Sequence, residues 1–238
     1  MRKMIGAALL TLLVSACSAG GAAQGSVQGT GPAGQRSFAV GSFNAVELAG
    51  DYDVRVTVGG APAVRAEGDE AALERLEVRV QNGRLWVGTR SGSWSDSARA
   101  TIHVTVPSLE SAGVAGSGNM QIGALRSPQF RGEVAGSGHL VMERLESESA
   151  SFEVAGSGNV RAAGRSRQAN LEIAGSGTGD LTGLEAENAE ISVTGSGGAQ
   201  VRASGTASVS IAGSGNVSVT GGARCNVSRA GSGNVSCG

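Results

Sequence analysis

Aromatic residues are scarce, at 3% of the 238-residue chain. A sandwich core normally relies on more large side chains than this. The interior must instead be thin enough for Val, Ile, Leu and Ala to fill. Strong charge of either sign is also missing, since the formal net charge is −1. That removes any bulk attraction to nucleic acid. Lys3 is the one lysine, and the remaining basic residues are scattered arginines. Their densest group, Arg161, Arg165 and Arg167, reads as a solvated loop rather than an anion site. Histidine is limited to His103 and His139, and neither has Cys, Asp or Glu at ligand spacing. No metal, cofactor or catalytic residue is therefore expected. The apolar run at residues 5–14 is too short for a comfortable membrane span.

What the chain has in abundance is glycine, 40 residues of it. Gly-Ser-Gly recurs at 116–118, 136–138, 156–158, 175–177, 195–197, 213–215 and 231–233, at intervals of 20, 20, 19, 20, 18 and 18 residues. A period of this size marks a solenoid. Aligned on the first Gly, Val114, Val134, Val154, Ile173, Val193 and Ile211 form one apolar column two places before the corner. Ala112, Gly132, Phe152, Leu171, Ile191, Val209 and Val227 form another, four places before it. After the corner come Met120, Leu140, Val160, Ala199, Val217 and Val235, then Ile122, Met142, Ala162, Leu181, Val201 and Val219. Polar residues separate these columns, which is the period of a half-buried strand. Disordered low-complexity segments lack such aligned columns.

Each repeat therefore reads as strand, Gly-Ser-Gly corner, strand and a looser return. One repeat cannot bury its apolar face alone, so neighbours must stack. The predicted fold is all-β: a right-handed parallel β-helix (β-solenoid) with coils of about 18–20 residues and an irregular N-terminal capping section. Seven coils at strand spacing give a rod section on the order of 34 Å long. Stacking would align Ser117, Ser137, Ser157, Ser176, Ser196, Ser214 and Ser232 as a corner ladder. Their hydroxyls can donate and accept, so the ladder can satisfy itself or face water. Beside it run Asn119, His139, Asn159, Thr178, Gly198, Asn216 and Asn234. Asn tolerates the left-handed angles a corner requires.

Residues 1–16 have the layout of a secretory signal: Arg2 and Lys3, a short apolar stretch, then Val14-Ser15-Ala16-Cys17. The last four resemble a bacterial lipobox, which makes Cys17 the expected lipidated first residue of the mature chain. The alternative is an ordinary signal peptide with a chance Cys. Ser18 lacks the Asp that retains many lipoproteins in the inner membrane, so the expected address is the cell envelope, at the outer membrane. Residues 17–36 are a Gly/Ala/Ser tether. A lipid anchor would hold the chain to a membrane without any span.

Residues 37–107 form a less regular β section, and 108–238 the repeat β-helix. Within the first, Gly50 takes a corner between two alternating runs. The stretch 69–76 predicts a short helix with acidic residues at its start. Gln81-Asn82-Gly83 signals a hairpin. A polar loop at 91–97 carries Trp94, and Pro107 stops the strand at 101–106. This section is expected to cap the first end, where open strand edges need cover.

Several motifs together resemble a known family. Gly41-Ser42-Phe43-Asn44-Ala45-Val46, Asp53-Val54, Asn82-Gly83-Arg84-Leu85 and Val106-Pro107-Ser108-Leu109-Glu110, followed by Gly-Ser-Gly coils, are similar to the bacterial DUF2807 family, the putative auto-transporter adhesin head GIN domain. The resemblance covers about 37–238. It implies a right-handed β-helix in a secreted or lipid-anchored protein, and it supplies no catalytic residues.

At the other end Cys225 and Cys237 lie six residues either side of Gly231, with inward parity, in columns held elsewhere by Ala207 and Val219. A Cys225–Cys237 disulfide closing the last coil is predicted, export favouring the oxidised state. The alternative is two buried thiols. Asp51 and Asp53 offer too few carboxylates for calcium. Glu133, Glu153 and Glu172 form the one concentrated charge column, read as solvated with Arg partners or, alternatively, as a cation- or glycan-binding stripe. The expected function is a non-enzymatic envelope lipoprotein displaying a β-solenoid, an adhesin-like or scaffold module for a polysaccharide or protein ligand. The alternatives are a carbohydrate-active enzyme on the same scaffold, since fold does not give function, and an envelope-stress or assembly partner.

Overall fold

A computed structural model describes residues 26–90 and 98–238. The signal sequence, Cys17 and the Trp94 loop lie outside the described residues. Inward apolar columns dictate the architecture, and parallel strands stack to form a β-solenoid.

Chain order is β1 (Gln35–Phe38), β2 (Ala45–Gly50), β3 (Asp53–Val58), β4 (Ala63–Gly68), α1 (Glu70–Arg75), β5 (Leu76–Gln81), β6 (Arg84–Thr89), β7 (Ala100–Val106), β8 (Ser111–Gly116) and β9 (Asn119–Arg126). It continues with β10 (Gln129–Gly136), β11 (His139–Gly156), β12 (Asn159–Gly175), β13 (Thr178–Gly195), β14 (Gly198–Gly213), β15 (Asn216–Thr220), β16 (Arg224–Gly231) and β17 (Asn234–Cys237).

The first wall precedes the corner. There Val114, Val134, Val154, Ile173, Val193 and Ile211 stand in one register file, each at most 2% exposed. The second wall follows the corner, with Met120, Leu140 and Val160 in file and buried. Each such side chain contributes about 1.5–3 kcal/mol by leaving water, an upper figure because unfolded chains already hide some surface.

The return is a third wall rather than a looser connection. Leu125, Leu145 and Leu184 point inward at 3%, 0% and 0% exposure, and their strands pair in parallel through Gly164. Register shifts fall after Met142, Arg161, Leu181 and Ala186, all on this side. The third wall thus absorbs the difference between coils of 18, 19 and 20 residues, and the corners stay in register.

Residues 45–58 supply the first two walls of a further coil. β2 pairs with β8 on one side and β6 on the other, and Gly50 lies in file with Gly116. β3 likewise sits between β7 and β9. The chain lays down β2–β3, travels outward, adds β6–β7 beyond them, and returns to build β8 on the opposite side. Residues 107–110 make that return, with Leu109 fully buried and Glu110 N–H donating to the Asn44 carbonyl (2.8 Å). β4 and β1 pair antiparallel beside β7, and β5 pairs antiparallel with β6. Asn82 (φ +51°) and Gly83 (φ +74°) make the β5–β6 turn, as the sequence predicts. The short helix also forms, as α1, next to β4 and β1.

At the far end, among the described residues, β16 and β17 form the last coil. Cys225 and Cys237 are joined by a disulfide. Cys225 is half-buried and Cys237 exposed, because no described residue covers the last coil's outer side.

Candidate functional site

The candidate site is the ridge where the first wall turns into the second. Its geometry follows from glycine. Gly136 has φ +121°, a region that L side chains avoid. Gly138 is buried, and a Cβ there would lie 2.4 Å from the Gly118 carbonyl oxygen and 2.6 Å from Val114 Cγ1. The middle residue has no place but outward, so all seven corner serines are exposed. The corner amides are already satisfied: Ser137 N–H donates to Gly116 O (2.9 Å) and His139 N–H to Gly118 O (3.1 Å). Among the described residues the corner serine hydroxyls form no hydrogen bonds to one another, so the ladder faces water.

Two further files flank the serines. Asp53, Asn119, His139, Asn159, Thr178, Gly198, Asn216 and Asn234 are in register along the second wall. Asn119 Nδ2 donates to Asp53 Oδ1 (2.8 Å), and Asn159 Nδ2 lies 3.0 Å from His139 Nδ1. On the first-wall side, Ala49, Ala115, Ala135, Ala155, Ala174, Thr194, Ala212 and Ala230 form an outward file. That file escaped the sequence reading, although its signal is plain: the repeated unit is Ala-Gly-Ser-Gly, with Thr once. The ridge therefore offers small groups and hydrogen-bonding groups, repeated about every 4.8 Å.

Charge is kept to the flanks and mostly neutralised there. Glu133, Glu153 and Glu172 do align, as expected. Arg131 binds Glu133 and reaches Glu153 at 3.0 Å. The Glu133 hydrogen bond, with its charge, holds the Arg131 guanidinium above its usual pKa. On the third wall Arg126, Glu146, Arg165, Glu185 and Arg202 form one file of alternating sign. Arg126 Nε donates to Glu146 (2.9 Å), Arg165 pairs with Glu185 (3.2 Å), and Arg202 approaches Glu185 (3.9 Å). Arg161 pairs with Asp180 (3.2 Å) and Arg167 with Glu187 (3.9 Å). The arginine trio is exposed, and each member faces a carboxylate on the next coil.

His103 Nε2 lies 3.0 Å from Glu67 Oε1 on the outer face of the second wall. Among the described residues no three His, Cys, Asp or Glu side chains converge as metal ligands. Tyr52 is buried below the Gly50 corner and donates to the Ala72 carbonyl (3.4 Å). Burial pushes its phenol pKa up. Among the described residues no helix is long and apolar enough to cross a membrane.

The chain is thus a three-walled β-solenoid with a continuous ridge of small and hydrogen-bonding residues. Residues 42–223 match the family described as putative auto-transporter adhesin, head GIN domain (DUF2807), and the chain belongs to it. Solved structures share the fold. A putative adhesin from Bacteroides fragilis has a TM-score of 0.81 at 22% identity, covering 85% of this chain and 95% of its own. A putative lipid binding protein from Parabacteroides distasonis has 0.70 at 21%, covering 88% and 98%. A putative adhesin from Parabacteroides merdae has 0.65 at 20%, covering 88% and 98%. Among curated proteins no relative matches.

Proposed function

We propose that this protein is a non-enzymatic envelope lipoprotein that displays its solenoid as an adhesin-like binding module. The observation that carries this reading is the ridge. Its Ala, Ser and Asn files stay in register from β8 to β17, and their groups suit many weak contacts to a repetitive ligand rather than one chemical step. Membership of an adhesin-head family supports a surface address. The Val14-Ser15-Ala16-Cys17 lipobox and the tether that follows support a lipid anchor at Cys17, with the outer membrane as its location.

Two measurements test it. Metabolic labelling with a fatty-acid probe should mark the wild-type protein and not Cys17→Ala; label on both rejects the anchor. A glycan array and pull-down should find a ligand whose retention falls when the corner serines 137, 157 and 176 are replaced together by bulky residues. Release of reducing or unsaturated sugar from any bound glycan would instead support the carbohydrate-active alternative.

A further inference from the structure

Most arginines of the coils face a carboxylate; among the described residues Arg144, in file with Ala124, and Arg224, in file with Thr206, are single exceptions, and Arg55 and Arg65 are the two exceptions that share one file. Arg126, Arg131, Arg161, Arg165, Arg167 and Arg202 each face a carboxylate on an adjacent coil. Arg55 and Arg65 do not: among the described residues neither makes an ion pair or a side-chain hydrogen bond. Both are exposed, and they stand one strand either side of His103 in a single outward file of the second wall. That file runs along the rod axis as Ser37, Arg65, His103, Arg55 and Gln121.

The nearby acids are engaged elsewhere. Glu67 is held by His103 (3.0 Å) and Asp53 by Asn119 (2.8 Å). Two guanidinium groups are thus left with free donors, about 10 Å apart at two strand spacings. Arg65 and His103 line a groove of about 510 Å³ with Arg36, Ser37 and Thr105, and the one carboxylate in it, Glu67, is the one His103 holds. The next file along the same face is Glu67, Thr101, Asp53, Asn119, His139 and Asn159, which joins the ridge described above.

We propose that this face binds an acidic polysaccharide, its carboxylate or sulfate groups held by Arg55 and Arg65 and its chain lying along the Asn file. The inference rests on the binding-module reading and names its ligand class. A guanidinium presents a planar fork of donors that matches carboxylate and sulfate oxygens. An extended glycan repeats at a distance of the same order as strand spacing, about 4.8 Å, so successive sugars can meet successive strands. A ligand across the end of the rod would meet only one of the two files.

Among the described residues every buried apolar side chain lies between Phe38 and Val219, so the chain from residue 26, which lacks the expected anchor, keeps all of them and is the form tested. Immobilised polygalacturonate, heparin, amylose and phosphatidylglycerol vesicles are the probes. The expected result is retention on polygalacturonate or heparin, weakened by salt, with none on amylose. The first two separate carboxylate from sulfate recognition. Arg55→Ala and Arg65→Ala should each weaken binding about tenfold, as loss of a hydrogen-bonded charge does. Arg202→Ala, on the third wall, should change nothing, and all three variants should melt with the wild type. Polyanion binding that survives the double variant overturns the proposal, as does binding to vesicles alone. Retention on amylose that is indifferent to both arginines also overturns it, while leaving the binding-module reading intact.

Discussion

At Gly138 one methyl group separates a stacked corner from a clash. The neighbouring carbonyl and Val114 already occupy the space a Cβ would take, and backbone cannot step aside cheaply. Gly138→Ala should destabilise the protein by about 1–3 kcal/mol, as overpacking does, whereas Ser137→Ala next to it should stay within about 0.5 kcal/mol. Urea titration of the two variants checks both values. Tyr52 makes a second residue-scale case, because it is the one tyrosine in the chain. Burial raises its pKa in the folded state, while the unfolded chain ionises near about 10. Above that pH the unfolded state holds fewer protons than the folded one, so stability falls as pH rises; below it the effect vanishes. Denaturation at about pH 9 and about pH 11 should show this loss in the wild type and a smaller one in Tyr52→Phe. Near-ultraviolet absorbance should show tyrosinate forming later in the folded protein than in urea.

At the scale of the element, alternating charge acts as a register device on the third wall. Arg165 lies between Glu146 and Glu185 in file. Arg165→Glu places three carboxylates one strand apart and should cost about 1 kcal/mol, while Arg165→Gln should cost less than half of that. Added salt should shrink the difference, since the groups are exposed and screened; a salt-independent loss would point to packing instead. This pattern was hidden in the sequence. Arg161, Arg165 and Arg167 fall in one coil and Asp180, Glu185 and Glu187 in the next, so each coil alone shows like charges. Only stacking turns them into pairs. The corner files, by contrast, were legible because Gly-Ser-Gly carries its own alignment mark and the flanking Val and Ile alternate cleanly. The third wall was not, because coil-length differences are absorbed there and break the alternation. Nor was the insertion of β2–β3 between β6–β7 and β8–β9, since strands that pair there are far apart in sequence. The free pair Arg55 and Arg65 was invisible for the same reason: His103 joins them only through pairing.

For the whole molecule, the two ends of the rod are closed by different means. The first is covered by β1, β4, β5 and α1, whose antiparallel strands interrupt the parallel stack. Among the described residues the last has no such cover. Val227 is 46% exposed, the one large apolar side chain so exposed among the described residues, and the outer edges of β16 and β17 carry unpaired backbone groups. Such an edge invites pairing with another chain. Two features oppose it. The disulfide ties β16 to β17 across the final corner. Arg229 occupies the position that Ile211 and the valines fill in earlier coils, and its guanidinium donates to the Gly233 carbonyl (2.9 Å). A charge in an inward file stops the apolar column from continuing into a neighbour. Arg229→Val should therefore extend the column to the surface and make the protein associate through this end. The other end is capped, so head-to-tail growth is blocked, and a closed two-fold dimer is expected rather than a fibre. Sedimentation at increasing concentration checks this: wild type should remain at the monomer mass while Arg229→Val moves to twice that mass. A variant that stays monomeric would mean that the disulfide-closed coil, and not the Arg229 charge, keeps the end from pairing.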